Sequence, residues 1–486
     1  MITAVILLVA LALLGWGFYR ALPLGKPGVL AWLQSVALML PWFLFFGLSA
    51  VGTFINLAEA LSLLVGSTLI YIALGRWLRD IVGNDPEKYI SPAPTPPLAQ
   101  SPPPPVAQAE PVQDATPALP AADLQTIRGI FGVDTFFAVE AIPYQAGVIF
   151  KGNLRGEPQS THERLSVRLK ERLDDRYRLF LVEGMEDKPV VVVLPSSSDP
   201  KPATVSQIVL AIGLGVATIA TCLETAGLML GFDLLTTPAR LLEVLPIGAG
   251  ILLTLAVHEI GHLVLAKRYQ AQLLPPFFLP VLQIGSFGAI TRFASLLPSR
   301  TALFDIAFAG PAVGGLTALG MLIAGLLLSH QGSYFQLPSE FFQGSLLVGL
   351  LAKVALGNAL QQPVVDVHPL VVIGWLGLVM TAINLLPAGQ LDGGRILQSI
   401  YGRKVAARTT IGTLIVVGLA ALVNPLALYW AIAILFLQRD LERPALNELT
   451  EPNDARAALG LLILFVMAAT LLPLTPSLAS RLGIGG

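Results

Sequence analysis

Apolar runs long enough to cross a bilayer recur along this chain, and they decide the kind of fold open to it. A helix needs about 20 mostly apolar residues to span the hydrocarbon layer. Runs of that order lie at roughly 2–18, 28–49, 53–75, 205–231, 241–267, 302–329, 368–388, 408–424, 425–438 and 456–473. Charged residues make up 13% of the 486, against about 25% in ordinary soluble domains. That is too little charge to cover so much apolar surface in water, and the mean hydropathy is +0.73. The expectation is an α-helical polytopic membrane protein of about ten membrane helices, with a small α+β soluble domain inserted.

The basic residues set the orientation. Arg20 and Lys26 follow the first run, and Arg76, Arg79 and Lys88 the third. Lys267 and Arg268, then Arg395, Arg403 and Lys404, then Arg439 and Arg443 follow later runs. All fall on one side, as a positive-inside bias requires, if the apolar stretch 341–357 does not cross. That stretch carries Lys353 and reads as interfacial or re-entrant. Met1 leads straight into Ile2 to Phe18 with no basic segment before it and no small-residue cleavage site. It reads as a retained helix rather than a signal peptide. The lack of an Arg- and Ser-rich transit segment points to a prokaryotic source or a mature form.

Five regions follow. Residues 1–80 form a three-helix membrane region. Residues 81–122 form a linker, with eleven prolines between 91 and 120, a composition that builds no core. Residues 123–200 carry ten Lys/Arg and twelve Asp/Glu, enough charge for a soluble domain. There Leu165, Leu169 and Leu173 share one helical face from His162 to Arg176. Strand-like runs at Thr135–Val139, Gly147–Lys151, Arg178–Glu183 and Pro189–Leu194 flank it. Residues 201–400 hold the chemistry, and 401–486 add C-terminal membrane helices.

Of five histidines, two stand in His258-Glu259-Ile260-Gly261-His262. Positions i and i+4 share a helical face, so both imidazoles reach one metal ion, and Glu259 is placed to take a proton from water. Ionisable groups inside an apolar helix are costly and mark function by default. The bland alternative is interhelical hydrogen bonding alone. A catalytic zinc takes three protein ligands and keeps one open position. Asp392, in Asn384-Leu-Leu-Pro387-Ala-Gly-Gln-Leu391-Asp392-Gly393-Gly394-Arg395, is the best third ligand. It ends another apolar run on the same side. Alone, Asp-Gly-Gly is a turn signal. His162, reading as solvated, and His330 and His368, at helix ends, are left outside the site. Cys222 reads as a small buried residue. Net charge is −1, which excludes a nucleic-acid partner held by a basic surface.

These motifs resemble the site-2 protease family of intramembrane zinc metalloproteases. H-E-x-x-H and N-x-x-P-x-x-x-L-D-G are both complete. Phe308-Ala309-Gly310-Pro311 is similar to the family's middle core helix, and Gly285-Ser-Phe-Gly288-Ala289 to its Gly-rich hairpin. Phe136-Phe137, Gly152-Asn-Leu-Arg-Gly156 and Asp175-Arg-Tyr-Arg-Leu179 resemble the branch of photosynthetic prokaryotes and chloroplasts. The resemblance implies one zinc per chain on His258, His262 and Asp392, with Glu259 as catalytic base. Asn384, Gly285, Phe287 and Gly288 would contact substrate, Asn384 also steadying an oxyanion. It further implies cleavage of membrane-spanning protein substrates in regulated proteolysis, in a prokaryotic cytoplasmic or thylakoid membrane. A transporter would leave H-E-x-x-H unexplained and would show an internal repeat. A catalytically silent scaffold or chaperone of the same fold is the remaining alternative.

Overall fold

The computed structural model describes residues 14–50, isolated positions between 63 and 78, and residues 119–184, 188–282, 284–422, 425–435 and 440–484. The apolar runs at 2–18 and 53–75 and the linker at 81–122 lie wholly or largely outside these. Two compact units divide the chain, residues 1–112 with 422–425, and 113–421 with 426–486. The first contains α1 (Gly25–Ala50), a largely apolar helix with Pro41 in its interior. Everything below concerns the second unit.

Its first part is an α+β domain. Helix α2 (Ala121–Arg128) leads to strands β1 (Phe136–Tyr144) and β2 (Gly147–Leu154), helix α3 (Pro158–Leu173), and strands β3 (Tyr177–Glu183) and β4 (Pro189–Pro195). The four strands form an antiparallel sheet in the order β1-β2-β4-β3. Glu157 caps α3 by accepting the N–H groups of Gln159 and Ser160, which satisfies two of the free donors at a helix start. Leu165, Leu169 and Leu173 are the buried residues of that helix. They cluster with Phe136, Val148, Phe150, Leu179, Leu181, Val191 and Val193. The opposite sheet face is covered too: Phe180, Val190 and Val192 pack with Leu296 and Leu446. Burial on both faces explains why β4 reads as an unbroken apolar run rather than an alternating one.

The membrane part follows. Helices α4 (Val205–Met229) and α5 (Leu241–Arg268) precede a hairpin of β5 (Phe277–Val281) and β6 (Gly285–Ile290). Then come α6 (Arg300–Leu328), β7 (Phe335–Pro338), α7 (Leu346–Leu356), β8 (Val364–Val367), α8 (Pro369–Asn384), α9 (Asp392–Ala420), α10 (Pro425–Ala433), α11 (Asp454–Leu471) and α12 (Pro476–Leu482). Among the described residues, four helices are long and apolar enough to cross a membrane: Val205–Met229, Pro238–Arg268, Arg300–Leu328 and Asp454–Leu471. They turn large apolar side chains outward. Val209, Ile212 and Val216 on α4 are exposed, as are Leu461, Leu462 and Phe465 on α11. In water such surface drives association, whereas lipid suits it. The second half of α9, beyond a break at Gly402 (φ +77°), does the same with Ile411, Ile415 and Val416.

The excursion between α6 and α8 leaves and returns at one point. Strands β7 and β8 pair antiparallel, Phe335 opposite Val367, and the Ser329 hydroxyl at the end of α6 accepts the N–H of His368 at the start of α8 (2.9 Å). α6 and α8 are therefore antiparallel neighbours, and 341–357 folds back as a short helix on one side. The run at 368–388 stops as a helix at Asn384, and a tight turn through Pro387 leads to α9.

The sheet domain is stitched to the membrane part along the free edge of β3. Leu181 donates to the Leu446 carbonyl (2.8 Å) and accepts from Glu448 N–H (2.9 Å). Leu446 in turn donates to the Leu297 carbonyl (2.9 Å), just before α6. Covering the edge also removes a site for unwanted strand pairing.

His162 is half-buried rather than solvated, its Nε2 3.2 Å from the Leu179 carbonyl. Burial lowers its pKa below the ordinary 6.5. As pH falls, the unfolded domain takes up this proton before the folded one, so stability is full above about pH 6.5 and is lost as pH falls through the lowered value. Amide protection factors over 123–195, with the intrinsic pH dependence of exchange divided out, are expected to fall between about pH 7.5 and about pH 5.5. His162→Gln should flatten that dependence.

Candidate active site and metal centre

Four helix ends meet at one depth. His258 and His262 lie in the last three turns of α5, Ile306 and Gly310 in the first turns of α6, Asn384 at the end of α8 and Asp392 at the start of α9. His258 Nε2 and His262 Nε2 are 3.2 Å apart, and the Asp392 carboxylate oxygen Oδ2 lies 3.2 Å from the first and 3.4 Å from the second. All three residues are buried. A tetrahedral zinc with bonds of about 2.0–2.1 Å requires donor pairs about 3.3–3.4 Å apart. The three measured edges fit that requirement. His262 Nδ1 donates to the Ile306 carbonyl (2.7 Å), which leaves the Nε2 lone pair facing the cluster, a usual second support for a metal-ligating imidazole. The Asp392 carboxylate gains from its position in the first turn of α9, where the helix dipole favours negative charge.

Glycines let the backbones come this close. A Cβ on Gly310 would lie 2.2 Å from His262 Nε2, and one on Gly314 would lie 2.9 Å from the His258 Cβ. The two form a small-x-x-x-small pair on α6 that seats both imidazoles. A Cβ on Gly393 would fall 1.8 Å from the Leu385 carbonyl oxygen, and one on Gly394 2.3 Å from that of Gly389. The Asp-Gly-Gly sequence thus opens α9 rather than forming the turn, which lies before it, and its glycines are packing contacts.

Glu259 is buried, and its Oε2 accepts a hydrogen bond from the Thr291 hydroxyl (2.8 Å). The hairpin stands beside it. Asn384 Nδ2 donates to the Phe287 carbonyl (3.3 Å) and to the Met380 carbonyl (3.1 Å). Both its hydrogens are engaged, so here it fixes the hairpin to α8. Gly288 has φ +100°, and a Cβ there would lie 2.2 Å from Asn384 Nδ2. Phe287 is buried, its ring 5.1 Å from that of Trp430. Gly285 (φ +88°) passes against Cys222 of α4, and its carbonyl accepts from the Thr221 hydroxyl (2.6 Å).

Arg395, counted in the sequence only as one of the basic residues that set the orientation, is not at the surface. It is buried and paired with Glu442 (2.8 Å). Its spacing of three from Asp392 on a helix is a signal that marks it; Thr291 and Glu442 carry no local one. Among the other histidines, His330 is exposed, His368 caps α8 through Leu370 N–H, and His162 belongs to the sheet domain.

The chain matches the family model described as peptidase family M50 over residues 247–424, and that of the EGY3 middle domain over 125–202. The probable zinc metalloprotease EGY2 of Arabidopsis thaliana chloroplasts is 40% identical over 374 residues, covering 75% of this chain and 67% of that protein. The probable zinc metalloprotease EGY1 of Arabidopsis thaliana chloroplasts is 35% identical over 405 residues, covering 75% and 73%. The probable zinc metalloprotease EGY3 of Oryza sativa subsp. indica chloroplasts is 33% identical over 377 residues, covering 73% and 64%. No solved structure matches the chain.

The fit beneath the imidazoles is testable. Gly310→Ala is expected to weaken zinc binding at least about tenfold, the scale of losing an outer support, as read by competition with a chelator. Gly315→Ala, whose new Cβ meets only Thr381 at 3.5 Å, should leave it unchanged.

Proposed function

The chain belongs to peptidase family M50, the site-2 protease family, and from that premise we propose that it is an intramembrane zinc endopeptidase. It is an integral membrane zinc metalloendopeptidase; the finer reading is that it cuts peptide bonds within the transmembrane segments of other membrane proteins, in regulated proteolysis. The observation that carries this is the buried His258–His262–Asp392 cluster with zinc-sized edges, set among helices with lipid-compatible exteriors.

In this reading the three residues hold one zinc per chain. Zinc, when bound, supplies a Lewis acid that acidifies water and polarises the scissile carbonyl. Glu259 takes the proton from the attacking water and hands it to the leaving nitrogen. Asn384 acts by holding Phe287 and Gly288 beside the cluster, so that the hairpin presents an edge to an unwound substrate strand. The chain is read as multi-pass with about ten crossings, and as divided at 1–80, 81–122, 123–200, 201–400 and 401–486. The membrane is read as a thylakoid or a prokaryotic cytoplasmic one, and the relatives' chloroplast names favour a chloroplast setting. The competing reading, a silent scaffold or chaperone, is disfavoured by the complete donor set and the buried Glu259.

The sheet domain is read as the part that screens substrates outside the bilayer. An apolar cavity of about 760 Å3 lies between its second face, including Phe180, Val182 and Val192, and Leu296, Arg443 and Pro444. It suits the extended flank that a single-span substrate carries beyond its helix.

Two measurements follow. Purified wild type should bind about one zinc per chain, Asp392→Ala should lose it, and Glu259→Gln should keep it without cleaving any membrane substrate. Wild type that takes up no zinc after reconstitution would favour the scaffold. For the domain, Val182→Arg should slow cleavage of a single-span substrate bearing an extramembrane flank several-fold, while the same helix without its flank is cut as before. Equal slowing of both would refute the screening role.

A further inference from the structure

The base of the proposed site is held by a buried chain of polar groups that begins on the same helical turn as the third ligand. Thr291 follows β6 directly and is 8% exposed. Its hydroxyl donates to Glu259 Oε2 (2.8 Å), and its carbonyl accepts from Arg395 Nη2 (2.7 Å). Arg395 is 3% exposed, lies over the Phe293 ring at 4.9 Å, and pairs with Glu442 through Nε (3.0 Å) and Nη2 (2.8 Å). Glu442 is itself held by Gln398, whose side-chain amide both donates to its carbonyl and accepts its N–H, each at 3.1 Å. Asp392, Arg395 and Gln398 are spaced by three on α9 and share a face. One face of one helix therefore carries the third ligand, the guanidinium that fixes Thr291, and the amide that fixes the guanidinium's partner.

We propose that Thr291 is a positioning residue for Glu259, set in place by Arg395 and Glu442. This rests on the reading of Glu259 as the base. A carboxylate with two free oxygens samples many orientations about its last torsion, which is broad and roughly two-fold. The Thr291 hydroxyl occupies Oε2 and leaves Oε1 as the oxygen that meets the proton. A charged donor on the Thr291 carbonyl fixes the backbone from which that hydroxyl points, and hydrogen bonds from ionised donors are about twice as strong as neutral ones. A buried guanidinium is costly unless paired, and the Glu442 carboxylate meets that cost. The arrangement orients the base only when α9 is seated, so metal ligation and base orientation are gained together.

The experiment uses the full-length protein and reads contact and function separately. In metal-free protein, the changes in Tm from Thr291→Val and Glu259→Leu, each of which removes one partner of the hydrogen bond, should be non-additive, the double variant losing no more than the larger single loss. With zinc loaded, cleavage of a synthetic single-span helical peptide should show kcat lowered at least about tenfold by Thr291→Val, with KM and zinc content unchanged. Thr291→Ser, which keeps the hydroxyl, should restore at least about half of kcat. Additive Tm losses, an unchanged kcat, or Thr291→Ser as impaired as Thr291→Val would each overturn the positioning role. Full activity in Glu259→Gln, or a peptide that wild type leaves uncut, would count against the protease reading instead, and the thermal comparison would still decide whether Thr291 holds Glu259.

Discussion

The structure turns on burying one carboxylate, Asp392, inside an apolar helical bundle. An isolated charge there costs several kcal/mol even after relaxation. A metal ion shared with the two imidazoles within 3.4 Å would offset that cost, together with the start of α9, and an arrangement that separates α5 from α9 loses that shared site. Bringing those helices together requires backbone approaches that a single methyl group would block, at Gly310, Gly314, Gly393 and Gly394. Because nothing in lipid drives apolar helices together as water does, close packing and polar contacts carry the association. The glycines that shape the site are thus the same residues that hold the bundle.

The segment 442–448 has a comparable role outside the bundle. It pairs with β3 at Leu181, with the loop before α6 at Leu297, and with α9 through Gln398 and Arg395. Few residues therefore fix the sheet domain, the start of the central helix and the first turns of α9 to one another. The Arg395–Glu442 pair thus joins the segment that borders the sheet domain to the Thr291 carbonyl.

Much of this was legible in the sequence, and the parts that were not have a common cause. Hydropathy marks membrane helices because lipid enforces it residue by residue, and His258, Glu259 and His262 declare themselves by a spacing that a helix makes meaningful. The Leu165, Leu169, Leu173 face is visible for the same reason. Asp392 needed more, a second motif and a parity argument over the intervening helices. Arg395 entered the reading only as a basic residue that follows an apolar run, which gives orientation and no sign of its buried partners. Thr291 and Glu442 were invisible: a hydroxyl 32 residues from its partner and a carboxylate 47 from its own leave no periodicity to find. Local spacing reports what one helix brings together, and only folding reports what several do.

In the proposed reading the reaction needs polar groups where lipid excludes water, and α9 carries a buried polar face. Asp392, Arg395, Gln398 and Ser399 are all buried, yet they run from the metal cluster toward the loops that carry Glu442 and the sheet domain. Each is satisfied by a partner in the protein: the imidazoles, Thr291 and Glu442, the Glu442 backbone, and the Ile396 carbonyl. Buried polar groups in such number are costly within an apolar protein and mark this face of α9 as a candidate for function. The hairpin is tied to α4, whose Thr221 and Thr225 hydroxyls donate to its Gly285 and Leu282 carbonyls. In the proposed reading, a strand drawn toward the cluster would exchange hydrocarbon for the hairpin's hydrogen-bonding edge, which is the condition for unwinding a helix without exposing its backbone to lipid.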